Sequence, residues 1–342
     1  MSDKRMNRAD TITAGCLFAG MGGFACAIKR ANIRPLWANE LDANACKTFR
    51  RNHRDINLVE RDVRELSVAK DNLQPVDILT AGFPCQSFSQ AGRKTGFADE
   101  RGECFYEIPR LLKEFGDDRP GIVLLENVRN LMHGGGGLWF GEVIRQIQAA
   151  GYWFKKHTCR ILNTAELTGI PQHRPRLFMA AFSVARFPLN FYKFPDAEAK
   201  PRDIGEFIRR ARKAGDEHYL SPDNRYCKEI RRAMEKGDSG AVFQLRRYYA
   251  RENKNRLCPT LTANMGGGGW NIPFVKDRWG VRELTVEECL MLQGFDDYAF
   301  PDDVPRKERY RQIGNSVTVP LAAMLVANAA ACLYDMPMTA EA

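Results

Sequence analysis

No Cys-x-x-Cys pair joins any two of the ten cysteines in this 342-residue chain. That excludes zinc-ribbon spacing, argues against a dense disulfide scaffold and points to a reducing compartment. No apolar run reaches the roughly 20 residues a membrane-spanning helix needs. The longest, 320–334, is interrupted by Asn328 and suits a buried helix. The opening MSDKRMNRAD lacks the apolar stretch of a secretory leader, so none is expected. Self-similarity with a period of roughly 20–50 residues is also missing, which excludes solenoids and fibrous arrays.

What is there fits a folded protein. Of the residues, 44% are hydrophobic and 27% charged, and the length suits about two domains. The formal net charge is +9, unevenly placed: residues 186–258 carry eighteen Lys and Arg against eleven Asp and Glu, a net +7. Arg209, Arg210, Arg212 and Lys213, then Arg231 and Arg232, then Arg246 and Arg247 beside Tyr248 and Tyr249 would suit a polyphosphate surface. A solvated helix face over 224–236 fits the charge alone equally well.

Apolar runs at 12–18, 35–39, 57–62, 77–83, 121–127 and 176–182 predict strands, and amphipathic stretches at 23–32, 43–52, 104–115 and 140–149 predict helices between most of them. Such alternation predicts a doubly wound, mostly parallel α/β sheet. Beyond 182, proline and aromatics cluster, the basic segment follows, and a tetraglycine at 266–269 closes it. Helical patterning returns over 285–293 and 319–333. The expected organisation is a first domain over 1–185, a smaller inserted domain over 186–275, and a segment over 276–342 that returns to the first.

The first strand runs into Phe18-Ala19-Gly20-Met21-Gly22-Gly23-Phe24-Ala25. Glycines at a strand-to-helix turn let backbone approach a ligand, and the helix N-terminus favours a negative group. Glu40, twenty residues after Gly20 at the end of the next strand, can accept from ribose hydroxyls, and Asp62, closing the third strand, can meet an adenine amine. A nucleoside-bearing cofactor is expected. These residues do not separate NAD from S-adenosylmethionine.

The fourth strand ends in Gly82-Phe83-Pro84-Cys85-Gln86-Ser87. A cysteine just past a strand's carboxyl end sits where doubly wound sheets bind ligands, with Pro84 fixing the backbone before it. Residues 87–102 mix Gly92, Gly96 and Gly102 with Arg93, Lys94 and Arg101, a basic lid over that cysteine. The next strand ends in Glu126-Asn127-Val128, whose carboxyl group can be held protonated or can bind a ring amidine. In Gln172-His173-Arg174-Pro175-Arg176 the two arginines point the same way if extended, which suits a planar polar ligand.

These blocks, in this order, resemble the C5-cytosine DNA methyltransferases of bacterial restriction–modification systems. The likeness runs on through Thr260-Leu261, Arg282-x-Leu284-Thr285, Leu292-Gln293-Gly294-Phe295 and Gln312-x-Gly314-Asn315-Ser316-Val317, and so covers nearly the whole chain. One departure is Gly15-Cys16 before Leu17-Phe18, where many members carry an Asp.

The resemblance implies a Rossmann-like domain that binds S-adenosylmethionine without a metal, through Phe18, Ala19, Gly20, Gly22, Gly23, Glu40, Asp62, Pro84, Asn315 and Val317. Residues 186–275 stand in place of a target recognition domain. Cys85 would attack carbon 6 of a cytosine flipped from duplex DNA, Glu126 would contact its ring nitrogen and amino group, Arg174 would help hold base and nucleophile, and Arg176 would orient Glu126. Gln86, Ser87, Arg93, Arg246, Arg247 and Asn264 are the expected DNA contacts. The implied setting is the bacterial cytoplasm and nucleoid, with a monomer acting on double-stranded DNA beside a cognate restriction endonuclease and no membrane. Rival readings are a tRNA cytosine methyltransferase, whose characteristic Cys-Phe-Thr element is missing here, and a silent DNA-binding homologue, which would lack Cys85 or Glu126.

Overall fold

The computed structural model describes residues 12–84, 103–187, 192–196, 198–238, 240–246, 249–267 and 271–334. It divides into two compact units: Met1–Leu162, Arg176–Asp196 and Pro320–Ala342 form one, and Asn163–Pro175 with Ala197–Val319 form the other. The second unit is therefore larger than the expected insertion. It takes in a short stretch ahead of the last long strand and most of the chain beyond 275, while 320–342 belongs with the first unit.

In the first unit β1 (Thr13–Leu17), β2 (Arg34–Glu40), β3 (Asn57–Glu60), β4 (Ile78–Gly82) and β5 (Ile122–Val128) pair in parallel. With β6 (Tyr152–Trp153) and β9 (Pro175–Ser183) the order is β3-β2-β1-β4-β5-β9-β6, and β7 (Cys159–Asn163) pairs with β9. The expected parallel sheet is present. Its last long strand, β9, runs antiparallel to β5 and β6. Central strands β4 and β5 are apolar on both faces, as a sheet covered on both sides requires.

Helices α1 (Gly23–Arg30), α2 (Ala43–Asn52), α3 (Glu107–Glu114) and α4 (Leu138–Ala149) fall where amphipathic periodicity predicts them. Asp42 caps α2 by accepting from Ala45 N at 2.8 Å. The core beneath α3 and α4 packs Ile108, Leu111, Leu112, Val143 and Ile147 against Leu79, Val123 and Leu125.

In the second unit β10 (Phe243–Leu245), β11 (Ala250–Glu252), β13 (Pro273–Lys276) and β14 (Val281–Glu283) form an antiparallel sheet in the order β11-β10-β13-β14. Helix α5 (Arg225–Lys236) lays Cys227, Ile230 and Met234 on that sheet against Phe243, Leu245 and Phe274. Its outward positions Lys228, Arg231 and Arg232 are exposed. A two-residue parallel bridge joins β8 (Gln172–His173) to β12 (Cys258–Pro259). Next come α6 (Val286–Gln293) and α7 (Arg306–Asn315), and then α8 (Val319–Tyr334), whose Leu321, Ala322, Leu325, Val326 and Ala329 are buried. In the first unit Tyr192 Oη donates to Leu325 O at 2.9 Å and Asn328 Nδ2 to Lys193 O at 2.8 Å.

Candidate active site

The turn leaving β1 is conformationally demanding. Phe18 (φ 53°), Gly20 (φ 56°) and Gly22 (φ 102°) all adopt left-handed backbone, a costly state for a bulky residue such as Phe18 and a mark of functional turns. Ala19 N donates to Asn39 O and Gly22 N to Ala19 O, each at 2.9 Å. Gly22 precedes the first turn of α1, which has no acidic residue and no side-chain cap. Its leading N–H groups point from a positive helix end with no side chain competing for them.

Glu40 braces this turn. Its Oε2 accepts from Gly20 N at 2.7 Å, and its Oε1 accepts from Leu41 N at 2.9 Å and Asp42 N at 2.8 Å. Burial raises its pKa above the usual carboxylate value, against the opposing pull of those three peptide N–H groups. The adjacent Asn39 side chain donates to Val59 O at 3.1 Å and Arg61 O at 2.8 Å, fixing the turn that carries Asp62. Asp62 is held by Arg64, whose hydrogen bond draws its pKa down.

At the carboxyl end of the sheet, β4 and β5 are in register with Gly82 beside Glu126. A Cβ on Gly82 would stand 3.7 Å from Glu126 Oε2, so the carboxylate lies along the strand end that leads to Pro84. Asn127 Nδ2 donates to Phe83 O at 3.1 Å, and Asn127 Oδ1 accepts from Val128 N at 2.9 Å. This buried amide ties the exit of β4 to β5. Glu126 opposes Phe178 and Val128 opposes Arg176, so Glu126 and Arg176 are diagonal neighbours on one face of the sheet. Arg176 Nε lies 3.2 Å from Glu126 Oε1, with both side chains largely shielded at 16% and 12% exposure.

The second unit holds a buried polar network. Arg174 Nη1 donates to Leu261 O at 2.8 Å, and its Nη2 to Gly314 O at 2.9 Å and Ser316 O at 2.6 Å. Gln172 Nε2 donates to Leu292 O at 2.7 Å and Gln293 Oε1 at 3.1 Å; Gln293 Nε2 in turn reaches Ile313 O at 2.7 Å. Gly314 makes this possible, because a Cβ there would fall 2.3 Å from the Thr262 backbone. Arg282, fully buried, pairs with Asp277 Oδ2 at 2.9 Å and bidentately with Glu288 at 2.8 Å through both Nη atoms.

A sequence model described as C-5 cytosine-specific DNA methylase matches residues 13–330. The chain belongs to that family. It is a DNA cytosine-5 methyltransferase, and its relatives bear the same stamp. It is 36% identical over 316 residues to the type II methyltransferase M.Bsp6I of Bacillus sp. (strain RFL6), covering 91% of this chain and 96% of that protein. It is 33% identical to M.NlaX of Neisseria lactamica, over 89% and 92% of the two chains. Among solved structures, S. pombe Dnmt2 methyltransferase superposes with a TM-score of 0.68 at 17% identity over 94% of this chain and 99% of that one. A DNA modification methyltransferase from an E. coli prophage gives 0.69 at 21%, over 95% and 100%. Those two establish the fold.

Within this cytosine methyltransferase, the sequence-predicted residues that the structure describes fall into three groups. Phe18, Ala19, Gly20, Gly22, Gly23 and Glu40 build one turn, with Asp62 on the neighbouring one; Pro84, Glu126 and Arg176 gather at the ends of β4, β5 and β9. Arg174 belongs to the second unit, where its guanidinium donates to the backbone carbonyls of Leu261 and Gly314. Asn315 and Val317 belong there too, the first exposed at the end of α7 and the second buried. Arg246 Nη1 donates to Asn271 Oδ1, and Thr262 Oγ1 to Asn264 Oδ1. Cys85, Gln86, Ser87, Arg93 and Arg247, with the basic stretch at 87–102, lie outside the described residues.

Cys16, Cys46, Cys159, Cys227, Cys258 and Cys289 are free thiols. Burial pushes Cys16, Cys46 and Cys159 up to about 12, and Cys258 and Cys289 higher, so these five stay protonated and unreactive at neutral pH. Among the described residues, no cluster of His, Cys, Asp and Glu is arranged for a metal. Sequence reasoning passed over Asn39, Asn127 and Gln172 as positioning residues. The available signal was a buried amide within or beside an otherwise apolar strand.

Proposed function

We propose that this methyltransferase is the modification arm of a restriction–modification system. It methylates carbon 5 of one cytosine within a short duplex sequence, acting as a monomer on nucleoid DNA in the bacterial cytoplasm beside an endonuclease that cuts the same site. The family match and the type II relatives support the reading.

The cofactor is S-adenosylmethionine, which when bound supplies an electrophilic methyl group. The residues present fit it. The uncapped start of α1 and the left-handed Gly20 and Gly22 would receive its carboxylate end, Glu40 its ribose hydroxyls and Asp62 its adenine amine, with Phe18, Ala19, Gly23 and Pro84 around them.

The observation that carries the chemistry is the Glu126–Arg176 pair beside Gly82, three residues before Cys85. The Cys85 thiolate adds to carbon 6 of the flipped cytosine; the 5,6 double-bond electrons move to carbon 5, which becomes nucleophilic. Glu126, oriented by Arg176, holds N3 and the exocyclic amine and stabilises the charge that builds on the ring. After methylation a base, which we assign to water, removes the carbon-5 proton. The electrons left behind restore the double bond and expel the Cys85 thiolate. Arg174 acts by positioning the backbone it grips. Gln86, Ser87, Arg93, Arg246, Arg247 and Asn264 would contact DNA and offset the few kcal/mol that flipping costs.

Bisulfite sequencing of DNA from cells expressing the chain tests this. The expected outcome is 5-methylcytosine at one position of one short motif, abolished by Cys85→Ala. Unmodified DNA in both would overturn it.

A further inference from the structure

We propose that Arg64 is a latch on the adenine end of the cofactor site, an inference that rests on the reading of Asp62 as the partner of the adenine amine. Arg64 N and Nε donate to Asp62 Oδ1 at 2.9 and 3.0 Å, and Nε and Nη2 donate to Oδ2 at 3.1 and 2.6 Å. A carboxylate offers about four lone-pair positions. Three N–H groups of Arg64, with the single Nε–H shared between the two oxygens, therefore crowd this carboxylate, and an incoming amine must compete with the guanidinium for Oδ2.

The two partners differ in how freely they can move. Asp62 sits on a turn pinned from both sides: Arg61 N donates to Glu40 O at 3.2 Å, Arg61 O accepts from Asn39 Nδ2 at 2.8 Å, and Glu65 N donates to Asp62 O at 3.0 Å. The Arg64 side chain is 48% exposed against 19% for Asp62, so the guanidinium has solvent to swing into. On opening, the Arg64 peptide N–H stays on Oδ1 and keeps the carboxylate aimed, while the long side chain leaves Oδ2 to the ligand. An exposed pair of this kind is weak enough for a ligand hydrogen bond to replace. A 6-keto purine presents an acceptor oxygen at position 6 in place of the exocyclic amine that would displace the guanidinium, so the latch also biases the site towards 6-aminopurines.

Calorimetric titration of the full chain with S-adenosylhomocysteine and with S-inosylhomocysteine tests the latch. Arg64→Gln is expected to tighten S-adenosylhomocysteine binding about three- to fivefold, the weight of an exposed ion pair, and to leave the inosyl compound unchanged. Asp62→Asn is expected to weaken the adenosyl compound about tenfold and the inosyl compound little. If Asp62→Asn weakens the adenosyl ligand but Arg64→Gln fails to tighten it, or tightens both ligands alike, the latch is wrong and the Asp62 reading survives. If Asp62→Asn changes neither ligand, the Asp62 reading falls and the latch with it.

Discussion

Arg176 reaches Glu126 diagonally across the β5–β9 pair, Nε to Oε1 at 3.2 Å, on the face of the sheet where β4 ends. The geometry exists only because β9 runs antiparallel to β5: that register sets Arg176 opposite Val128, two residues from Glu126's own partner Phe178. A charge-assisted contact between two shielded groups fixes one carboxylate oxygen and leaves the other along Gly82.

Removing either partner should therefore slow the chemical step while ligand binding persists. Glu126→Gln is expected to lower single-turnover methyl transfer by roughly 10²–10³-fold, the weight of a preorganised group facing developing charge. Arg176→Met should cost less, because it misaims Glu126 without removing it. S-adenosylhomocysteine affinity measured alongside should stay within about twofold of wild type in both variants; a parallel collapse of that affinity would mean the pair serves cofactor binding.

Two glycine substitutions should move stability in opposite directions. At Gly314 a Cβ would fall 2.3 Å from the Thr262 backbone, which cannot yield without disturbing the carbonyls that Arg174 grips, so Gly314→Ala is expected to cost about 3 kcal/mol. Gly141, exposed in α4 with open space around it, should gain roughly 0.5–1 kcal/mol as alanine. Thermal unfolding of the two variants reads both signs.

How legible was this in the sequence? Strands such as Ile78–Gly82 and Ile122–Val128 announce themselves because a sheet buried on both faces needs unbroken apolar runs. Strand β6 spans two residues and carries no period at all. The glycine turn, Glu40, Glu126 and Arg176 were readable because their chemistry sits at strand ends. The Arg282 cluster was not. Asp277, Glu288 and Arg282 look like ordinary surface charges until the fold closes over them, since local sequence says nothing of long-range burial.

That cluster should be sensitive to losing any member. Arg282 donates to both carboxylates with its side chain 0% exposed, and Glu288 also closes the capping box with Thr285. Arg282→Met leaves two buried carboxylates without their cation and is expected to cost about 3–5 kcal/mol in urea unfolding. Removing the exposed Arg145 from Glu142 should leave the unfolding midpoint nearly unchanged.

Acid should act through His53. Burial, with help from nearby Lys29, lowers its pKa from 6.5 to about 4. The unfolded chain thus takes up a proton at higher pH than the folded one. Stability is full above about pH 6.5 and falls as pH drops towards 4, by roughly 3 kcal/mol in all. In His53→Phe the loss across that window should shrink; an unchanged profile would assign it to other groups. Asp277 is not one of them, because hydrogen bonds from Trp279, Tyr219 and Arg282 outweigh burial and hold its carboxyl group below its usual pKa, so its contribution is lost only at lower pH.

The most direct test of the central claim is transfer of tritiated methyl from S-adenosylmethionine to duplex DNA of mixed sequence and, in parallel, to total tRNA, by the wild-type chain and by Cys85→Ala. The account predicts label on DNA cytosine, none on tRNA and none with Cys85→Ala. Label on tRNA alone, or DNA label that survives the loss of Cys85, would contradict it.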